Sequence, residues 1–408
     1  MSDLRPTGAL VRNPWLVVLC AAAIVTLAMG VRQAFGLLMR PMGLELEVGR
    51  EAFGLAIALQ NLVFGVAQPF VGALADRHGA GRVAAVGAVV YIVGLIAAAQ
   101  AGDALGLNLS LGLLIGFGLS GTTFVVVLGA VGRVVDPARR SLAFGLVTAG
   151  GSLGQFLVVP AAQGLIDGLG WRGALLALAG LVAVVAPLAI GVAGRPNGGA
   201  HGAGPQLSLG EALRQAAGHR GYWLINLGFF VCGFHVAFIA THLPAYLTDS
   251  GIAAGVGAAA LALIGLFNIF GSYTFGVLGD HARKKNVLAG LYFARAIVLT
   301  VFLLVPLSQA SALVFASAMG FLWLGTVPLT SGLVGQIFGV RYLSTLYGVV
   351  FMSHQIGSFF GAWSAGRAYD ALGSYDLVWL ASIGLALLAA LVHLPIRDAA
   401  ASQVAPAR

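Results

Sequence analysis

Apolar runs of about 18 to 26 residues recur through the whole chain, and each can cross a hydrocarbon core of about 30 Å as a helix. Twelve are counted, at approximately 15–39, 52–75, 83–101, 107–131, 142–166, 174–192, 222–247, 258–278, 287–307, 312–337, 345–369 and 377–394. Lipid offers backbone groups no hydrogen bond, so segments of this kind must close their own as helices. Only 9% of the side chains are charged and 59% are apolar, whereas about 25% are charged in soluble domains. The expected fold is therefore an all-α membrane protein of twelve transmembrane helices.

Orientation follows from the 22 Lys and Arg residues. With a cytoplasmic N-terminus, sixteen fall in inner tails and loops, and only Arg40, Arg50, Arg172 and Arg367 lie outside. Two more, Arg32 and Arg295, are within spans. This distribution obeys the positive-inside rule and places both termini in the cytoplasm. The net charge of +8 thus reflects topology, and its scattered sources form no nucleic-acid-binding stripe. Arg5 and Arg12 before an apolar run resemble a signal peptide, but the first span is expected to be retained because it keeps the topology even. Cys20 and Cys232 lie in different spans and imply neither a disulfide framework nor a metal site.

The chain also repeats itself. Gly72-Ala-Leu-Ala-Asp76-Arg77 and Gly276-Val-Leu-Gly-Asp280 are 204 residues apart, and Gly145/Gly348, Gly154/Gly357 and Asp167-Gly-Leu-Gly170/Asp370-Ala-Leu-Gly373 are 203 apart. A Gly/Pro-rich polar stretch separates the copies, followed by a candidate amphipathic inner-face helix at 209–217. The expected organisation is a cytoplasmic tail (1–13), a six-helix bundle (14–193), a cytoplasmic linker (194–220), a second six-helix bundle (221–395) and a cytoplasmic tail (396–408). Two parallel halves with a site between them are a transporter architecture, and the 59 glycines suit close helix contacts.

The loop Gly72, Leu74, Asp76, Arg77, Gly79, Arg82 resembles the signature between helices two and three of the major facilitator superfamily. Gly276, Leu278, Asp280, Arg283 and Lys284 look like its degenerate second copy. The resemblance covers about residues 14–395, and Asp136-Pro137, Arg139-Arg140, Pro328-Leu-Thr-Ser-Gly and Ser353-His354-Gln355-Ile-Gly357 are similar to bacterial members near the monocarboxylate and oxalate/formate carriers. It implies a cytoplasmic (inner) membrane protein, here expected to be a monomer without cofactor. Asp76, Arg77, Arg82, Arg139, Arg140, Asp280 and Arg283 are the expected inner-face gate, since a carboxylate there can bind arginines or a helix N-terminus. Asp136-Pro137 reads as a cap with Pro at the first helical position. Monocarboxylate carriers tend to have an arginine late in helix eight; Ser272 stands near that place here. The G-P-x-x-G-G of many drug antiporters is also missing, replaced by Gly150-Gly151-Ser152-Leu-Gly154 with Pro160 later.

No acidic residue lies deep in a span, so a carboxylate proton relay is excluded. A buried cation without an acidic partner must face water, carbonyls or an anion. Arg32 either snorkels to Glu45 or Glu47 or serves a cavity, while Arg295 either caps carbonyls of a neighbouring helix or meets substrate. His354 and Gln355 fall on a helix that lines the cavity in the resembled fold, and His354 is the candidate proton site. Asn61, Gln155 and Asn268 are further binding candidates; Gln60, Gln68, Asn226 and His235 are polar groups of the spans, and His242 reads as interfacial. Phe35, Phe124, Phe351 and Trp363 read first as packing.

The expected function is secondary transport of a small organic anion, a carboxylate, by alternating access with proton coupling or exchange. Efflux of amphiphilic drug-like compounds is the alternative. A polytopic enzyme is disfavoured because no metal-spaced cluster, nucleophile elbow or phosphate loop occurs, and a sensor would leave the duplicated loops without a purpose.

Overall fold

The computed structural model describes residues 13–135, 140–193, 209–338 and 343–400. Among them there is no strand; ten helical stretches are long and apolar enough to span a membrane. One of these, 145–191, is two spans joined at Gly170, and the helix Leu343–Leu372 adds another, which brings the spans to twelve. The described chain begins and ends on one side of the bundle, here termed the terminal face; the other is the far face.

Local chemistry sets the helix limits. Asn13 caps the first span by accepting from the Trp15 amide at 3.0 Å, with Pro14 in the first turn. That span is two helices, Pro14–Gln33 and Phe35–Leu46, and stops at Glu47 in the left-handed region (φ 52°). The second is Arg50–His78 and the third Ala80–Ala99. In the fourth, Asp103 caps Ala104–Leu107 and a π-helical stretch, Asn108–Leu114, precedes Ile115–Thr122 and Phe124–Val134. The tenth is also divided, into Gln309–Phe321 and Thr326–Phe338. The linker helix is Leu209–Gly218, with Ala212 and Ala216 buried and Glu211 and Arg214 exposed, as its amphipathic sequence requires.

The 203-residue offset reappears as geometry. Gly170 and Gly373, its two members, both have φ 69° and turn the fifth span into the sixth and the eleventh (Leu343–Leu372) into the twelfth (Asp376–His393). Gly154 and Gly357 sit where helices nearly touch. A Cβ on Gly154 would strike the Thr26 carbonyl of the first span, and one on Gly357 the Phe230 carbonyl of the seventh, Arg220–Asp249. The fifth span therefore packs on the first as the eleventh packs on the seventh.

Three helix pairs join the halves: the second with the eleventh, the fifth with the eighth, Ala254–His281, and, through Phe35–Leu46, the first with the seventh. Polar contacts between the halves run from the far face to the level of Asn61, Gln155 and Asn268. Nearer the terminal face, Gly145, Gly276 and Gly348 have open space where a side chain would stand. Among the described residues, the polar contacts between the halves thus lie on the far side and at the middle.

Substituting Gly154→Ala or Gly357→Ala should lower the denaturation midpoint in detergent, an overpacking cost of roughly 1–3 kcal/mol each. Gly145→Ala and Gly348→Ala, the other repeat-related pair, should leave it unchanged; equal effects in both pairs would contradict this packing.

Candidate functional site

At the junction of the halves, four candidates form one chain of polar contacts. The Arg32 guanidinium donates through Nη2 to Asn61 Oδ1, and Asn61 Nδ2 donates to the Ile57 carbonyl at 2.9 Å. Gln355 Nε2 crosses from the eleventh span to the Asn61 carbonyl, at 3.1 Å. Its Oε1 is 3.0 Å from His354 Nδ1, and the His354 ring stacks on Phe351 and leans on Phe229. Arg32, Asn61, Gln355 and His354 thus connect the first and second spans to the eleventh.

Among the described residues, Arg32 contacts no carboxylate. Glu45, one expected snorkelling partner, instead accepts from Trp171 Nε1 and Arg172 Nε, at 2.6 and 3.1 Å. Arg32 Nε is buried without a hydrogen-bond partner, and the guanidinium carbon lies 5.8 Å from the Phe64 ring centroid. A small cavity of about 20 Å³ touches Arg32, Gln33, Gln60 and Asn61 on one side and Val236, Ala237, Ala240 and Thr241 of the seventh span on the other. That is room for about one water. A larger, almost wholly apolar groove of about 600 Å³, lined by Phe267, Val298 and Leu313 among others, lies on the eighth, ninth and tenth spans away from these groups. Its lining suits hydrocarbon, not an anion.

Gln155 and Asn268 form a second crossing. Gln155 accepts from Gln33 Nε2 at 2.9 Å and donates to the Leu261 carbonyl at 2.7 Å. Asn268 donates to Ser152 Oγ at 3.0 Å, while its Oδ1 accepts from the Leu324 amide and from Ser272. Ser272, in place of the arginine of the resembled carriers, is therefore committed to Asn268. Gln60 donates to the Leu111 carbonyl of the fourth span, a contact between helices, whereas Asn226 donates to the Tyr222 carbonyl of its own helix.

Arg295 is elsewhere. It is fully buried on the ninth span, Lys284–Leu304, and gives Nε and Nη2 to the Leu322 carbonyl at 3.2 and 2.7 Å and Nη2 also to the Trp323 carbonyl. These carbonyls end the first helix of the divided tenth span, so the cation meets the negative end of a helix dipole. Arg295 holds the break in place and does not join Arg32. Cys232 Sγ is 3.7 Å from the same Nη2 and 3.2 Å from Thr326 Oγ1.

Two readings of single residues are corrected. His242 is 1% exposed, too buried for an interfacial residue; Nε2 lies 2.7 Å from the Ala362 carbonyl and Nδ1 3.0 Å from the Tyr375 hydroxyl. Trp363 does more than pack, since its indole N–H donates to Glu51 at 3.0 Å. His235, also buried, has Nε2 2.9 Å from the Ser382 carbonyl of the twelfth span.

Of the inner-face gate, Arg139 lies outside the described residues, as do Asp136-Pro137 and the side chains of Asp76, Arg77, Arg140 and Asp280. Arg82 is exposed. Arg283 binds Asp398 through Nε and Nη2, at 3.1 and 2.7 Å, which holds the Asp398 carboxyl below its ordinary range. Sequence reasoning missed a larger group on the far face. Arg50 there binds Asp249 and Tyr375, and Glu51 accepts from Arg367 at 3.1 Å. The available signal was charge at span ends in a charge-poor chain.

A family model described as the Major Facilitator Superfamily matches residues 15–362. Among curated proteins, an uncharacterized MFS-type transporter, YcxA of Bacillus subtilis (strain 168), is 23% identical over 398 residues, covering 94% of this chain and 95% of that one. Monocarboxylate transporter 11 of Homo sapiens is 29% identical over 394 residues, covering 93% and 82%. A solved bacterial homolog of the human lysosomal transporter Spinster, inward-facing and unoccupied, aligns over 95% of this chain and 94% of its own with a TM-score of 0.76 and 15% identity.

Arg295→Gln should cost roughly 2–3 kcal/mol of stability, because it removes charged hydrogen bonds to two carbonyls. Arg32→Gln should leave the denaturation midpoint near wild type. Chemical denaturation in detergent separates the two; a midpoint unmoved by Arg295→Gln would refute its capping role.

Proposed function

The chain belongs to the Major Facilitator Superfamily and is a membrane transporter, not an enzyme, and we propose that its cargo is a small organic anion, a carboxylate, carried by alternating access in the cytoplasmic membrane of a bacterium. The reading rests on Arg32. It is a cation at the junction of the halves, bonded to the neutral Asn61, with no acidic partner among the described residues and with its Nε unfilled. Such a charge in a low-dielectric setting is relieved by an anion. Similarity to monocarboxylate transporters supports the same class.

A carboxylate arriving from the open, terminal side would compete with Asn61 for the guanidinium. Gln355 bonds the Asn61 backbone carbonyl and lies beside His354, so the candidate proton site adjoins the residue that holds Arg32. Gln155 and Asn268 hold the second crossing and complete the hinge region between the halves. The terminal face is read as cytoplasmic from the excess of Lys and Arg there. Moving one negative charge inward against an interior-negative potential costs about 2.3 kcal/mol per 100 mV, so import requires a proton or a counter-anion.

Proteoliposomes with a panel of carboxylates and cationic amphiphilic dyes test the cargo class. Carboxylate flux should fall at least about 10-fold in Arg32→Gln, the loss of one charged contact in a desolvated site. Dye transport insensitive to Arg32 would replace this reading with efflux of amphiphiles. In the same vesicles His354→Gln should abolish accumulation driven by a pH gradient while leaving exchange of labelled for unlabelled carboxylate; retained pH-driven accumulation would remove the proton from His354.

A further inference from the structure

The four basic residues of the far face are all ion-paired. Arg40 Nε is 3.4 Å from Asp249, Arg50 binds the same carboxylate, Arg367 reaches Glu51 at 3.1 Å and Arg172 reaches Glu45 at 3.1 Å. The first three pairs cross between the halves. Arg50 is held further by its donation to Tyr375 at 2.8 Å and by the Tyr369 ring, 3.7 Å from the guanidinium carbon to the centroid.

Asp370 stands at the centre of this group without a cationic partner among the contacts described. Its Oδ1 accepts from the backbone N–H of Arg50 at 3.0 Å and its Oδ2 from that of Glu51 at 2.7 Å. These are the first two amides of the second span, preceded by Gly49, which has no side chain to cap them. A helix start leaves its first amides unbonded and carries partial positive charge, so a carboxylate is its natural cap. Here the cap comes from the other half of the molecule, 320 residues away in sequence. Gly366, one turn before Asp370, packs against the Arg50 backbone, and a Cβ there would collide with it.

The repeat supplies an internal control. Asp167, the counterpart of Asp370 at the 203 offset, accepts from Gln163 Nε2 of its own helix at 2.8 Å. The helix it would face, Ala254–His281, begins with Ala254 and Gly255 where the second span has Arg50 and Glu51, and no side chain among the described residues is bonded to its first amides. A Cβ added to Gly168 or to Gly255 would meet nothing within 4 Å. The far face is latched on one side of the pseudo-twofold axis and free on the other.

We propose that Asp370 is the far-face gate latch, a positioning residue that caps the second span across the interface and holds the transporter open toward the terminal face. The proposal rests on the alternating-access reading but not on the cargo. Opening the far face must pull the Asp370 carboxylate off two amides and separate three ion pairs. Closing it restores a cap the second span cannot supply for itself. Because the fifth and eighth spans lack the equivalent, the latch is released by events at the second and eleventh spans, the pair that carries Asn61 and Gln355.

The test is a distance measurement in reconstituted protein, with spin labels at Gly102→Cys and Gln309→Cys, both exposed on the far face and outside the latch, after replacing Cys20 and Cys232 by Ser. Asp370→Ala should raise the ratio of far-face-open to closed molecules about five-fold, the effect of losing one helix cap. Asp370→Asn, which keeps an acceptor, should fall between Ala and wild type, and it substitutes for Ala if that variant does not fold. Asp167→Ala should leave the distribution as in wild type. A wild-type distribution in both Asp370 variants, or an equal shift in Asp167→Ala, would overturn the latch. No substrate is needed, so loss of carboxylate transport specificity in the vesicle panel would leave this result standing, and failure of the latch would leave the cargo reading intact.

Discussion

Hydrocarbon offers no hydrogen bond, and the architecture follows from the ways in which this chain supplies its own. Continuous helices satisfy most backbone groups. Where the tenth span is interrupted, side chains from other spans repair the break. The tenth span is divided between Phe321 and Thr326, and there Arg295 takes the Leu322 and Trp323 carbonyls while Asn268 takes the Leu324 amide. The division is tolerable only because two neighbouring helices complete it. Arg32 and Arg295 each keep one buried nitrogen without a hydrogen-bond partner, but Arg32 stands out because its guanidinium is bonded to a single neutral amide where Arg295 holds two carbonyls.

Duplication gave two copies of one set of helix contacts, and the copies have kept their packing while losing their chemistry. Gly154 and Gly357 still seat equivalent carbonyls, and Gly170 and Gly373 still make the same turn. Polar groups have diverged. The pairing of the second and eleventh spans carries Asn61, Gln355 and Asp370; that of the fifth and eighth carries Gln155, Asn268 and Ser152. Packing is conserved within the chain because a close helix approach admits only glycine. Charge is free to differ because a surface pair contributes little to stability and acts instead on which state is populated.

Much of the fold was legible in the sequence, since the length and apolarity of each run are dictated by the bilayer. The divisions of the first, fourth and tenth spans were not; that of the tenth depends on partners from elsewhere, Arg295 and Asn268. For the site, the unusual residues were found by type: Arg32, Asn61, His354 and Gln355 do come together. Arg295 was singled out by the same rule and has the other role considered for it. Burial of a charge can be read from its position in an apolar run, but what neutralises it depends on the rotation of that helix and on its neighbour. His242 and Trp363 show the same limit, each being hydrogen-bonded to a residue more than 100 positions away.

The sequence by itself determined that this chain spans a membrane, that it is two related halves, and that its interior charges are arginines without acids. Those properties follow from composition, periodicity and repetition, which act along the chain. Only the tertiary structure decided which arginine is spent on a helix break and which faces the junction of the halves, and that the far face is shut through Asp370 and the amides of Arg50 and Glu51. A hydrogen bond is decided within about 3 Å. Contacts that join residues 320 positions apart are set by how the helices pack, which no local pattern encodes.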